Sequence, residues 1–135
     1  MIVSENLDLV RSIYAAWERG DFGSAEWAHP NIKLILADGP SPGRWEGLPA
    51  MAASMRDFFT PWEHFRAEAE EYRPLDGERV LVLDHRTGRG KTSGLELADM
   101  PTQGGTVWHM RDGKVTRLVI YWDRDRALAD LGLTE

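Results

Sequence analysis

Val107-Trp108-His109-Met110-Arg111-Asp112-Gly113-Lys114-Val115 decides how the C-terminal half of this 135-residue chain is read. Asp-Gly is a favoured two-residue connection between antiparallel strands, because both positions tolerate the positive φ that the tight turn needs. Thr106–Arg111 and Val115–Trp122 are therefore predicted to be the two arms of a hairpin. Working upstream, Gly94–Ala98 reads as another short strand and Val80–Arg89 as a longer one, broken by Gly88-Arg89-Gly90-Lys91. Phe65, Ala67 and Ala69 alternate with Arg66, Glu68 and Glu70, a period of two that predicts one more strand. Downstream, Asp123–Leu131 reads as a closing helix ending at Gly132.

The N-terminal half has a different period. Leu7, Val10, Ile13, Tyr14 and Trp17 recur at three- and four-residue steps, which gives a helix one apolar face. Ser4 is its expected cap, Glu5 and Asp8 place negative charge in its first turn, and Gly20 can end it. A short helix is predicted from Ser24 to Ala28, stopped by Pro30, and then a strand through Ile32, Leu34 and Leu36. Ala37–Gly47 holds two prolines and three glycines and reads as a loop. Pro49 opens a helix carrying Met51, Met55, Phe58, Phe59 and Trp62. Helices first and antiparallel strands after them predict an α+β fold, and residues 1–135 contain no repeat or linker that would divide them.

Composition narrows the function. The chain is 42% hydrophobic, as a packed domain requires, and carries 22 acidic against 16 basic side chains for a net charge of −6. That balance repels phosphate backbones, and Arg86, Arg89 and Lys91 are too few to override it, so no nucleic-acid partner is expected. There is no cysteine, which excludes disulfides and thiolate chemistry. No segment reaches the length of a membrane span and no leader precedes the first helix, so a cytoplasmic location and no membrane partner are expected. Six tryptophans suit either a core or the wall of an apolar pocket.

Four stretches carry a family resemblance. These are Tyr14-Ala15-Ala16-Trp17-Glu18-Arg19-Gly20-Asp21, His29-Pro30-Asn31-Ile32, the hairpin segment Val107–Val115, and Tyr121-Trp122-Asp123-Arg124 with Ala127-Leu128. Together they resemble the SnoaL-like group of the nuclear transport factor two-like superfamily, and Gly88–Gly94 is similar to a bacterial branch of it. The resemblance spans nearly the whole chain. It implies one conical α+β domain, with N-terminal helices packed in the concave face of a curved, mainly antiparallel sheet. It also implies a pocket between sheet and helices, and frequent homodimers paired through the sheet's outer face. Because the superfamily holds isomerases, cyclases, epoxide hydrolases, dehydratases and non-enzymes, the fold leaves the function to the pocket residues.

By alignment with those relatives, the acid–base positions are replaced. The ketosteroid isomerase base falls on Leu36, its oxyanion acid near Thr106, and its tyrosine one residue from Tyr14. The last-strand aspartate of cyclases and epoxide hydrolases falls on Ile120. The Arg-x-Asp pair of the hydrolases is met by Asp84-His85-Arg86, so these chemistries are not carried over. The same alignment points Leu83, His85 and Thr87 into the pocket and sends Asp84 and Arg86 outward. Tyr14, Trp17, Leu34, Leu36, Trp108, Met110, Leu118, Ile120 and Trp122 complete the expected wall, which suits a small hydrophobic ligand and equally suits a filled core.

His85 is then the expected acid or base, because imidazole titrates near neutrality, with Asp38 or Glu46 as its acidic partner. His29 and His64 fit loop positions and His109 an outward one. The four histidines lack metal-ligand spacing, so neither a metal nor a cofactor is expected. Gly88-x-Gly90 lacks the strand–turn–helix setting of a nucleotide site, and Ser93 lacks the setting of a nucleophile. Two readings stand: a cofactor-free isomerase, dehydratase or cyclase working through His85, and a non-catalytic ligand-binding or dimerisation module.

Overall fold

The computed structural model describes residues 2–19, 26–38, 42–59, 62–90 and 103–133. Three helices pack on a curved, six-stranded, mostly antiparallel sheet. Helix α1 spans Ile2–Glu18, strand β1 Ala28–Leu36, β2 Gly43–Glu46 and α2 Leu48–Phe59. Strands β3 (Trp62–Pro74), β4 (Arg79–Gly90), β5 (Gln103–Arg111) and β6 (Lys114–Tyr121) follow, and α3 covers Arg124–Asp130. The strand order is β2-β1-β6-β5-β4-β3; β1 lies parallel to β6 and every other pair is antiparallel.

The hairpin forms as its sequence dictates. Asp112 and Gly113 both take positive φ, 53° and 77°, and Arg111 pairs with Lys114 across the turn. The apolar stripe of α1 is also as expected: Val10, Ile13, Tyr14 and Trp17 are buried. Asn6 is buried beside them, and its amide donates to the Gly77 carbonyl at 2.9 Å, tying the helix to the β3–β4 turn.

Several boundaries differ from the sequence reading. Ser4 lies inside α1 and does not cap it. Glu26 and Trp27 form a turn and β1 already begins at Ala28, so the short helix expected there is not present at 26–28. Within the expected loop, Gly43–Glu46 forms β2 against Lys33–Leu36. A Cβ on Gly43 would lie 2.8 Å from the Trp45 ring, so the missing side chain lets that indole fold over the strand. Helix α2 stops at Phe59, and Trp62 opens β3, paired with Gly90. Strand β4 runs on through Gly90, past the expected break at Gly88. The strand predicted at Gly94–Ala98, and Ser93, lie outside the described residues.

The middle of the sheet is covered on both faces. On the concave side, α1 and α2 pack on Ile32, Leu34, Val80, Val82, Trp108 and Leu118. On the opposite side, Ala127 and Leu128 of α3 pack on Leu81, Leu83, Val107 and Tyr121. Helix α3 is capped by Asp123, whose side chain accepts from the Asp125 amide. It sits close enough that a Cβ on Gly105 would lie 3.1 Å from Ala127. Covering both faces makes the middle of β4, Val80-Leu81-Val82-Leu83, apolar at every position.

Candidate functional site

Side chains alternate along a strand, so the face taken by Val80 and Val82 is also taken by Asp84 and Arg86. This reverses the orientation expected from alignment. Leu83 packs against α3 on the opposite face, and alternation carries His85 and Thr87 there with it. The sequence offered no signal for the choice, because 80–83 are apolar on both faces and 84–87 are polar on both.

Four polar side chains meet on the concave face. Asp84 is 1% exposed, Arg86 5%, Thr106 2% and Tyr14 is fully buried. The Tyr14 hydroxyl and the Thr106 hydroxyl each donate to Asp84 Oδ2 at 2.8 Å. Arg86 Nη2 lies 3.0 Å from Asp84 Oδ1, and Nη1 donates to the Tyr121 carbonyl at 2.9 Å. The guanidinium sits over the Trp122 ring, 5.4 Å from its centroid. Burial, then the Asp84 charge, push the Tyr14 phenol well above the usual tyrosine range, so Tyr14 keeps its proton and acts as a donor.

Backbone geometry fixes this cluster. Gly104 faces Asp84 across the β4–β5 ladder, and a Cβ there would strike the Tyr121 carbonyl oxygen and lie 2.6 Å from Arg86 Nη1. Arg124 clamps the strands beside it, donating to the Asp84 carbonyl at 3.0 Å and the Gly104 carbonyl at 3.3 Å while pairing with Glu70 at 2.6 Å. A buried ion pair of this kind contributes little stability relative to well-packed apolar residues, while removing one partner leaves an uncompensated charge.

Two buried polar atoms have no hydrogen-bond partner among the described residues: Asp84 Oδ1, whose only neighbour of opposite charge is Arg86, and Trp108 Nε1. Trp108 is enclosed by aromatic rings, with centroids 5.8 Å from Tyr14, 5.5 Å from Trp17 and 5.5 Å from Trp27. That part of the interior is filled. Trp17, Leu34, Trp108, Met110 and Leu118 of the expected wall are buried core there.

The cover is thinner beyond the polar cluster. Leu36, Trp45, Met55, Ile120 and Trp122 pack against the same core but are only partly buried. Register makes them continuous with the polar groups, since Leu36 pairs with Ile120 and Ile120 with Thr106. A separate depression of about 310 Å³ runs between α1 and the β5–β6 turn, floored by Leu9, Ile13, Trp17 and Trp27; it does not include the polar cluster.

His85 and Asp38 do not form the expected pair. Asp38 lies beside β6, where Oδ1 accepts from the Trp122 amide at 2.6 Å and Oδ2 from the Asp123 amide at 3.2 Å. His85 is three strands away, about 14 Å along the sheet, on the other face. Glu46 is exposed on β2. The buried polar residues that the alignment sent outward are Asp84 and Arg86. Among the described residues no group of three or more His, Cys, Asp or Glu side chains could hold a metal, and no helix is long and apolar enough to cross a membrane.

Three helices packed on a curved, mostly antiparallel six-stranded sheet make an α+β fold of the nuclear transport factor two-like kind. Residues 10–118 match the SnoaL-like domain, and the chain belongs to that family. No curated protein matches the sequence. Among solved structures, a protein of unknown function from Burkholderia pseudomallei is similar at 23% identity and a TM-score of 0.75, over 93% of this chain and 95% of that one. TerC, co-crystallised with polyporic acid, is similar at 23% identity and 0.73, over 94% and 97%. A hypothetical protein with a ketosteroid isomerase-like fold from Catenulispora acidiphila, in complex with trimethylamine, is similar at 14% identity and a TM-score of 0.69, over 94% of each chain. At these identities the likeness is one of fold.

Proposed function

We propose that residues 1–135 act as one SnoaL-like domain that binds a small, largely apolar molecule on the inner face of the sheet, against Leu36, Ile120 and Trp122 and beside the Asp84–Arg86 pair. The observation that carries this reading is the register row Leu36–Ile120–Thr106, which joins partly covered apolar side chains to a buried polar cluster. Ligand sites combine those two features: apolar walls for affinity and a few fixed polar groups for orientation. Binding of small molecules by TerC and by the Catenulispora protein is consistent with it. The enzymatic reading built on His85 is dropped, because His85 faces away from this site.

The test is a fluorescence titration with naphthalene, reading the tryptophan emission. Saturable one-to-one quenching is expected, and Trp122→Ala should weaken it about tenfold, the loss of a buried aromatic contact. Absence of saturable binding to the wild-type protein would remove the reading.

A further inference from the structure

We propose that the depression between α1 and the β5–β6 turn binds an apolar α-amino acid in its zwitterionic form. The depression lies apart from the inner-face polar cluster, so the inference is independent of the binding reading above. Its volume, about 310 Å³, is within the range of small-ligand sites. The floor is apolar: Leu9 and Ile13 from α1, with the Trp17 and Trp27 rings edge to face at a centroid separation of 6.3 Å. The rim carries one acid and one base, Glu26 and Lys114, both exposed.

Backbone geometry sets these two charges side by side. The Val115 amide donates to the Trp27 carbonyl at 2.8 Å and Ala28 pairs with Val115, which holds Lys114 against residues 26–27. The Lys114 ammonium donates to the main-chain carbonyl of Glu26. An ammonium has three donors, so two remain for another acceptor. The Glu26 carboxylate has no ion pair or hydrogen bond among the described residues. The rim therefore offers an unused acceptor and unused donors next to each other, above an aromatic floor. An apolar acid meets Lys114 but is repelled by Glu26, and an apolar amine meets the reverse. A zwitterion satisfies both, with its ammonium on Glu26 and its carboxylate on Lys114. An α-amino acid carries both groups on the carbon that bears its side chain, which lets that side chain rest on Trp17 and Trp27.

The test compares phenylalanine with hydrocinnamate, which lacks the ammonium, and phenethylamine, which lacks the carboxylate. Titrations at neutral pH followed by amide NMR shifts read both affinity and location. Phenylalanine should give saturable shifts at Trp27, Gly113 and Lys114, and each truncated compound should bind about three- to fivefold more weakly, the worth of one exposed ion contact. Glu26→Gln should weaken phenylalanine by a similar factor without weakening hydrocinnamate. Lys114→Gln should weaken phenylalanine without weakening phenethylamine. Both changes are on exposed side chains, so the fold is retained. Absence of saturable shifts at these residues overturns the inference, as do equal affinities for the three compounds. A variant that weakens all three alike overturns the assignment of the two charges.

Discussion

Gly104→Ala is the most informative single change, because its one added carbon goes where three atoms already lie. The Cβ would overlap the Tyr121 carbonyl oxygen, lie 2.6 Å from Arg86 Nη1 and 2.9 Å from its Cζ. The Tyr121 carbonyl belongs to β6, held by the β5–β6 ladder at Gly105 and Thr106, so it cannot retreat without breaking the sheet. The overlap with the Tyr121 oxygen therefore remains as strain in the sheet, and only the second overlap is relieved, by movement of Arg86. Its departure breaks the hydrogen bond to Tyr121 and the 3.0 Å pair with Asp84, leaving a carboxylate that is 1% exposed without its cation. Removing one member of a buried ion pair costs about 3–5 kcal/mol. For a chain of 135 residues that corresponds to a fall in Tm of roughly 10–18 °C. Differential scanning calorimetry reads the shift directly. Gly77→Ala is the control, since a Cβ there meets nothing within 4 Å and should leave Tm almost unchanged. A Gly104→Ala protein melting within about 2 °C of wild type would refute the account of Arg86 as held in place by a bare backbone.

Two further outcomes follow from the buried and half-buried ionisable groups. Tyr14→Phe removes a donor to a buried carboxylate and should cost about 1.5–3 kcal/mol in urea unfolding at pH 7. Because the folded phenol holds its proton above the ordinary tyrosine pKa of 10.0, wild-type stability should fall as pH rises beyond 10, and the variant should lose less over that window; equal slopes would contradict the assignment. His109, on the outer face, is pushed below the ordinary histidine value of 6.5 by burial and then by Arg117 and Arg79, against the opposing charges of Asp76 and Glu78. Its folded form binds fewer protons than the unfolded chain just below pH 6.5, so stability should drop as pH falls through that range. His109→Gln should flatten this acid slope in urea titrations between pH 7.5 and 5, and an unchanged slope would assign the loss to other groups.

Much of the fold was legible in local patterns. The 3.6-residue period of α1 and the Asp112-Gly113 turn are set by side-chain spacing and backbone sterics, which act within a few residues. Strand β2 was not legible, because Gly43-Arg44-Trp45-Glu46 is a strand only by pairing with β1. On β1, β5 and β6 the residues expected to point inward, Leu34, Leu36, Trp108, Met110, Leu118 and Ile120, share the inner cluster, as does Trp122 just past β6. On β4 the reading of faces failed.

The hairpin Val107–Val115, with the helix periodicity upstream, determined by itself an α+β chain with alternating strands, since those signals depend only on near neighbours. Which side of β4 is the inside was decided by tertiary structure alone. Helix α3 buries Leu81 and Leu83 on one face while α1 and α2 bury Val80 and Val82 on the other, which erases the polarity difference that would mark the core. The phase that results brings Asp84 and Arg86 to Tyr14, 70 residues away from Asp84 in sequence, and to Thr106 from the neighbouring strand. A contact of that range is set by the packing of whole elements, and no local pattern encodes it.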